Sequence, residues 1–481
     1  DWAPSHRFGV DQGKKIRQIA DLSRNYTNAC ASIQASVNLD GVDEILALAK
    51  TWSELIDQAT RNGGRFRARW QDGSVTTHWM HKDFKKKENQ RLNGATLDLA
   101  HAYRQLAVEE SHKRYSVVGV PKGNKTHYYL SHALLFGASA NVLNFNRAAR
   151  ALNFCVHKCA GASVTNFFDD FVLIAPAPIA KFMYKGMTTV LEILGWKLKP
   201  ESINEPSTKF TGLGVVFNFE EDARTISVGN KSSRMDKIEE QINEITDKEK
   251  PGLLSPAQVS VLRGKMVFSI SQVAGRVGAI PLNLLSRHKG GRIKDDLRKA
   301  FLWWVEAAVH RAKPRSVKVS DKRKPIVIFI DGAHEETETG YGGVMIDPET
   351  NEVAAFGRNM GQKMLDRLSV EGKKKQIIGQ AELYPAIVAR KLWKKQIQGR
   401  DVLHFIDNDS ARYALIKGTS PCLESAWLTQ SFWTDESETD CRSWIARVPS
   451  RSNIADGPSR GDRSEVQLAF PHVKWLERID E

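Results

Sequence analysis

Seven carboxylates recur at the ends of apolar runs, and a charged group in that setting needs a reason. In Asn166-Phe-Phe-Asp169-Asp170-Phe-Val-Leu-Ile174 two adjacent acids sit between β-forming runs, as at the tip of a hairpin, and Asp98 ends the run Ala95-Thr-Leu-Asp98. Adjacent acids in an apolar setting repel each other and resist desolvation, so a compensating positive charge is required. A divalent cation is the economical one. Three carboxylates from two strands could hold two magnesium ions, which would activate an attacking hydroxyl and steady a leaving group. Further along, Asp331 closes the run Ile326-Val-Ile-Phe-Ile330, and Glu382 opens a helix through Ile387, Arg390 and Leu392, with Pro385 expected in its first turn. Asp407 ends Val402-Leu-His-Phe-Ile406, and Asp456 closes Ser452-Asn453-Ile-Ala455-Asp456. Asp409 is an alternative to Asp407, which is preferred because it sits where the strand runs out. A solvated turn explains any one acidic pair, but not the whole series.

The elements that must position these groups follow from composition and periodicity. The 481 residues allow two to four domains. A hydrophobic content of 41% argues against disorder, collagen or a low-complexity array. Residues 1–230 mix strand-like and helical runs as one α+β unit. Residues 231–312 read as all-helical: Ser233 can cap a helix carrying Met235, Ile238, Ile242 and Ile245, Ser255-Pro256 opens a second, and a third starts near Asp295. Residues 313–325 read as an exposed basic linker. Strands expected at Ile326–Ile330, Gly342–Ile346 and Val353–Phe356 open a further domain, 326–460, followed by a tail, 461–481.

Five cysteines with no CxxC pair exclude a disulfide framework or zinc ribbon, so a reducing intracellular compartment, cytoplasm or nucleus, is expected. Cys155-Val-His157-Lys-Cys159 lacks a fourth zinc ligand and reads as helix. No run approaches the ~18–20 apolar residues of a membrane span, so no membrane partner is expected. The abrupt start without Met suggests a segment cut from a longer polypeptide. Lys+Arg 70 against Asp+Glu 56 leaves a net charge of +14, which makes a polyanion the expected large partner.

Residues 1–218 resemble the fingers and palm of a reverse transcriptase, motif after motif in the family's order. Phe167-Phe168-Asp169-Asp170 resembles its aromatic-x-Asp-Asp box, and Leu97-Asp98-Leu-Ala-His-Ala-Tyr103 its first palm motif. Leu135-Phe136-Gly137-Ala-Ser139-Ala resembles the motif that shapes the nucleotide pocket, Leu194-Gly195-Trp196-Lys-Leu-Lys-Pro200 the next, and Phe210-Thr-Gly212-Leu-Gly214 the primer grip. The resemblance implies Asp98, Asp169 and Asp170 as the acidic cluster and Tyr103 as the bulky residue that excludes a ribose 2′-hydroxyl. It also implies Lys15 and Arg17, two apart on one strand face, as contacts for the incoming triphosphate. The four acids Asp331, Glu382, Asp407 and Asp456 together resemble a ribonuclease H domain, in which they hold two Mg2+ and the RNA strand of a hybrid is cut. Mn2+ would be accepted by the same oxygen ligands.

The fold the resemblance implies is a right-hand polymerase of fingers, palm and thumb, α+β and multidomain, followed by an α/β ribonuclease H-like domain. The implied activity is RNA-directed DNA synthesis plus hybrid cleavage. The implied partners are an RNA template, a DNA primer, an RNA–DNA hybrid, deoxynucleoside triphosphates and other domains of the same polyprotein. Details around Leu135-Phe136-Gly137 and Asn453–Arg460 look closest to DIRS-like, tyrosine-recombinase-type retrotransposons, with long-terminal-repeat elements and pararetroviruses as alternatives.

Three departures stand out. Asp11 occupies a place where relatives often carry Lys. Pro200-Glu201-Ser202 stands where they read Pro-Glu-Lys, leaving Lys197 or Lys199 as substitutes for the lysine proposed to protonate pyrophosphate. The stretch before Asn453 lacks the usual His, which bears on rate and product release more than on metal binding. The rival reading is a decayed, non-catalytic nucleic-acid-binding scaffold. A template-independent nucleotidyltransferase ranks last, because it leaves the second set of acids without a role. Basic residues such as Lys82, Lys85–Lys87, Arg263, Lys265, Arg276, Arg287, His288 and Lys289 are candidate phosphate contacts.

Overall fold

Strand-formers in short apolar runs build the sheet that carries the first acids. Leu92–Asp98, Asp170–Pro176 and Val164–Phe167 pair antiparallel in that order, in a register that sets Asp98 opposite Asp170 and Phe167 opposite Asp170. Phe168 takes φ 52 at the hairpin tip, which leaves Asp169 in the turn between the paired strands. The helices Ser139–Ala160 and Ala177–Ile193 cover one face, and Leu97, Phe145, Phe171, Leu173 and Met187 are fully buried between them. A second, four-stranded sheet runs in the order Ile16–Asp21, Ser5–Asp11, Val117–Lys122, Lys125–Leu130.

The computed structural model describes residues 2–11, 16–31, 36–222, 225–247, 249, 252–271, 275–318, 323–334, 338–368 and 377–476. They fall in two compact units, Asp1–Ser227 with Val317–Ser320, and Val228–Ser316 with Asp321–Glu481. The fold is mixed α+β. Among the described residues no helix is long and apolar enough to cross a membrane.

In the second unit a six-stranded mixed sheet has the order Arg442–Arg447, Asp401–Ile406, Ile326–His334, Thr339–Asp347, Glu352–Asn359, Lys474–Trp475. The last strand lies in the segment expected as a tail. Val466 is buried and Phe470, Val473 and Trp475 pack against the sheet cluster of Val344 and Ala355, so apolar burial draws that segment into the fold. Within the stretch expected as a basic linker, Arg315–Lys318 is a strand.

The helical block also differs from a free-standing domain. Met235, Ile238, Leu262, Phe301 and Trp304 belong to one apolar cluster with Ile328 and Tyr341 of the sheet and Phe432 of the helix Leu423–Thr439. Polar ties accompany the apolar ones: Gly278 N donates to Gln430 Oε1 at 2.8 Å, and Gln430 Nε2 donates to the carbonyls of Arg276 and Gly418. Its first helix is Ser232–Thr246 with Lys231 at the cap, so Ser233 lies inside the first turn rather than capping it. Ser255 does cap the helix Pro256–Ser269, in a capping box with Gln258.

The helix Ile378–Leu392 is almost wholly buried and starts before Gln380, which puts Pro385 in its interior instead of its first turn. Arg390, on this helix, is 0% exposed in its side chain and is compensated by Ser443, Thr439, Glu436 and the Phe432 ring. His404 lies beside it, fully buried, with Nε2 at 3.3 Å from Ser443 Oγ and its ring edge-on to Phe432. Burial, reinforced by the Arg390 charge, pushes His404 down to about 3.

The unfolded imidazole binds a proton near pH 6.5 and the folded one does not, so stability is lost as pH falls below 6.5, at about 1.4 kcal/mol per pH unit. Urea unfolding at pH 7 and pH 5 should show this loss in the parent and a smaller one in His404→Gln. An equal loss in both would assign it to other groups.

Candidate active sites

The first centre grows from the register just described. Asp98 and Asp170 face each other on paired strands, with Asp169 in the adjoining turn, where its carbonyl accepts from Leu99 N at 3.1 Å. Burial is the main reason Asp169 and Asp170 resist ionisation. It pushes Asp169 up to about 6, with the Asp98 carboxylate adding to the rise and Arg17 opposing it. Asp170 is likewise pushed up to about 6 by burial and by Asp169 and Asp98, against Lys199. Lys199 Nζ lies 2.7 Å from Asp98 Oδ2, and that bond pushes the lysine's own pKa up. Ser202 Oγ accepts from Asp98 N at 3.0 Å and donates to the Lys199 carbonyl at 2.7 Å, so it pins the strand end and the lysine together.

The residues expected around an incoming nucleotide gather beside these acids. Tyr103 is buried between Phe136 and Phe145, with ring centroids 4.5 and 4.7 Å away. Its phenol is raised by burial and by the charge of Asp169. The Arg17 guanidinium lies over the Phe136 ring at 5.6 Å. Gly137 has φ 114, and a Cβ there would strike the Ala20 carbonyl, whose backbone N–H donates to Phe136 O at 3.0 Å. Only glycine lets the two segments approach so closely. Lys15 lies outside the described residues.

In the second centre, Asp331 lies within the strand Ile326–His334 instead of ending it, Glu382 on the helix Ile378–Leu392, and Asp407 just past the strand Asp401–Ile406. One ligand oxygen from each lies within 4.8 Å of the others. Ser459 Oγ donates to Asp331 Oδ2 at 2.6 Å and Asn453 Nδ2 to Asp331 Oδ1 at 3.2 Å, while Gly332 N and Asn408 Nδ2 donate to the two oxygens of Glu382. Gly342 makes room for this support: a Cβ there would come within 2.6 Å of Ser459 N. Asp331 is pushed up to about 6, chiefly by burial, then by Asp407 and Asp456. Glu382 is pushed up to about 8 by burial, Asp331 and Asp407.

The two sets of acids differ in how closely they converge. Among the described residues, Asp331, Glu382 and Asp407 are the one group of three with oxygens that close together. Asp98, Asp169 and Asp170 do not converge as tightly, and Lys199 holds one oxygen of Asp98. Asp456 stands apart from the triad, half-exposed, with Oδ1 3.2 Å from Arg460 Nε. Asp409 pairs with Arg412 at 2.8 Å, out of the cluster. Sequence reasoning missed Ser459, Asn453 and Asn408 as supports. Their signal is the short polar stretches next to the acids, which no periodicity distinguishes from turns.

No family model matches the chain, and no curated protein does. Solved structures similar to it include a foamy viral protease–reverse transcriptase in complex with an RNA/DNA hybrid, at 13% identity and TM-score 0.44, over 94% of this chain and 51% of that one. The chain thus spans about half the length of that protein. The same protein, as a dRH form with double-stranded DNA, matches at 13% identity and TM-score 0.39 over 87% of this chain and 71% of that one. Ribonuclease H1 from Halobacterium salinarum NRC-1 matches at 17% identity and TM-score 0.23, over 30% of this chain and 99% of its own.

The second centre fits a divalent cation on its own chemistry. Its donors are hard oxygens, Asp331 and Glu382 are pushed toward protonation by burial and then by neighbouring carboxylates, and Asp407 Oδ1 is buried without a hydrogen-bond partner. In EDTA, Asp407→Asn should be more stable to unfolding than the parent, by about 1 kcal/mol or more, because it removes one of three mutually repelling carboxylate charges. Millimolar Mg2+ should reverse the order, because only the parent gains from binding. A variant less stable than the parent in EDTA would show that the triad is not repulsive.

Proposed function

We propose that this chain is the polymerase and ribonuclease H portion of a retroelement polyprotein, copying an RNA template into DNA from a primer and cutting the RNA strand of the resulting hybrid. The observation that carries the reading is two separate, largely buried carboxylate centres on one basic chain, one at strand ends and a hairpin turn, the other from a strand, a helix and a strand end, each with acids pushed toward protonation. In this reading the first unit supplies fingers and palm, and the sheet of the second unit is the ribonuclease H-like domain.

Asp98, Asp169 and Asp170 would hold the cations of the polymerase centre, and Asp331, Glu382 and Asp407, with Asp456 nearby, those of the nuclease centre. Bound Mg2+ or Mn2+ supplies activation of the attacking oxygen and neutralisation of the charge that develops on the leaving group. The protein's own groups do the rest. Arg17, with Lys15, grips the triphosphate. Tyr103, held by Phe136 and Phe145, forms a wall that sorts deoxyribose from ribose. Lys199 holds Asp98 until a cation competes for it. Ser459, Asn453 and Asn408 fix the orientation of Asp331 and Glu382, as supporting partners of metal ligands do. The subgroup that fits best is the DIRS-like retrotransposons.

A non-catalytic scaffold is favoured by one feature, the Lys199–Asp98 ion pair, which already neutralises one acid. Primer extension on an RNA template and cleavage of a labelled RNA–DNA hybrid separate the two readings. Asp169→Asn/Asp170→Asn should abolish extension and leave cleavage intact, and Glu382→Gln should do the reverse. Each loss should be about 100-fold or more, since removing mere supports of metal ligands already costs 10–100-fold. A folded parent that binds hybrid but performs neither reaction would establish the scaffold.

A further inference from the structure

Between the helix Val42–Arg61 and the strand Leu92–Asp98 the chain makes a two-stranded hairpin that among the described residues joins no other sheet, Arg65–Arg69 with Val75–Trp79. Its register opposes Arg65 to Trp79, Arg67 to Thr77 and Arg69 to Val75, so these six residues share one face. All six are exposed. The three guanidinium groups stand in a row about 7 Å apart, two strand residues each. No ion pair among the described residues engages them. Trp79 is 72% exposed at one end of the row and Trp70 is 54% exposed at the turn.

The other face is half-buried on the first strand, at Phe66 and Ala68, and exposed on the second, at Thr76 and His78. Phe66 stacks on His78 at 5.5 Å, Thr76 Oγ1 accepts from Trp70 Nε1 at 2.8 Å, and the strand Arg65–Arg69 lies beside the helix Val42–Arg61. The segment that follows adds exposed Lys82, Lys85, Lys86 and Lys87. From the hairpin the chain runs through residues 80–91 into Leu92, the end of the strand opposite Asp98, and the seven-residue strand separates those two ends by about 20 Å.

We propose that this hairpin face is a binding site for single-stranded nucleic acid, separate from the carboxylate centre of the same unit. One row of cations suits one phosphate backbone, and the indole at its end offers a platform for an unstacked base. A duplex fits less well. Its bases are already stacked and offer no free face to the exposed indoles. The site holds a strand; it performs no chemistry, so a polymerase-inactive protein would still show it.

The test is fluorescence anisotropy of the full chain with labelled 30-nucleotide oligo(U) and a 30-base-pair duplex, titrated between 50 and 200 mM salt. Arg65→Gln/Arg67→Gln/Arg69→Gln should weaken oligo(U) binding about 10-fold or more and lower the slope of log K against log salt by about 2, three contacts at ~0.7 each. The matching triple Lys variant should restore the slope. Trp79→Ala should weaken binding several-fold without changing the slope. Thermal unfolding of the Lys and Trp79→Ala variants guards against misfolding. Parental affinity and slope in the Gln variant would overturn the proposal, as would a loss confined to the duplex.

Discussion

The cost of burying a carboxylate governs the construction of both centres. Each acid is placed by an element whose own stability comes from apolar burial: Leu97 and Phe171 flank Asp98 and Asp170, and Ile330 precedes Asp331. The sheets gain from burying those neighbours and thereby drag the acids out of water. Asp169, Asp170, Asp331 and Glu382 all respond in the same direction, toward the protonated form, with burial as the leading cause. Charge that a fold accepts at such cost is held for a partner of opposite sign.

The two centres meet that cost differently. In the first, Lys199 neutralises part of the charge through Asp98, and Ser202 holds lysine and strand end in one arrangement. Ser202 therefore has a structural task, while the cation comes from three residues earlier. In the second, neutral donors carry the load: Ser459 and Asn453 on Asp331, Gly332 and Asn408 on Glu382. Neutral donors orient a carboxylate without cancelling its charge, which leaves this triad the more demanding of a cation.

Much of this was legible in the sequence because the acids adjoin elements with clear periodicity. Asp98 and Asp407 lie at strand ends, and Asp169 in a hairpin turn, that short apolar runs mark well. Pairing register, by contrast, is a long-range property, so the apposition of Asp98 with Asp170 could not be read from either strand alone. Lys199 and Lys197 are equivalent by spacing, and only packing decides that Lys199 reaches Asp98. Pro385 lies beyond the first turn because the helix begins at Ile378, before polar Gln380, and the exposed Ile378 and the glycine after it give no apolar periodicity that would mark the start. The segment after 460 reads as a tail in composition because Phe470, Val473 and Trp475 are too sparse for a periodic signal, yet together they complete a sheet edge. The supporting Asn and Ser residues resemble ordinary turn formers, and nothing local sets them apart.

The most direct measurement is anomalous diffraction from crystals soaked in Mn2+, which reports where cations bind without relying on activity. The account predicts anomalous density among Asp331, Glu382 and Asp407, touching Asp407 Oδ1, and density at Asp98, Asp169 and Asp170 with Lys199 displaced from Asp98. Crystals that hold Mn2+ at other surface acids while both centres stay empty would contradict it.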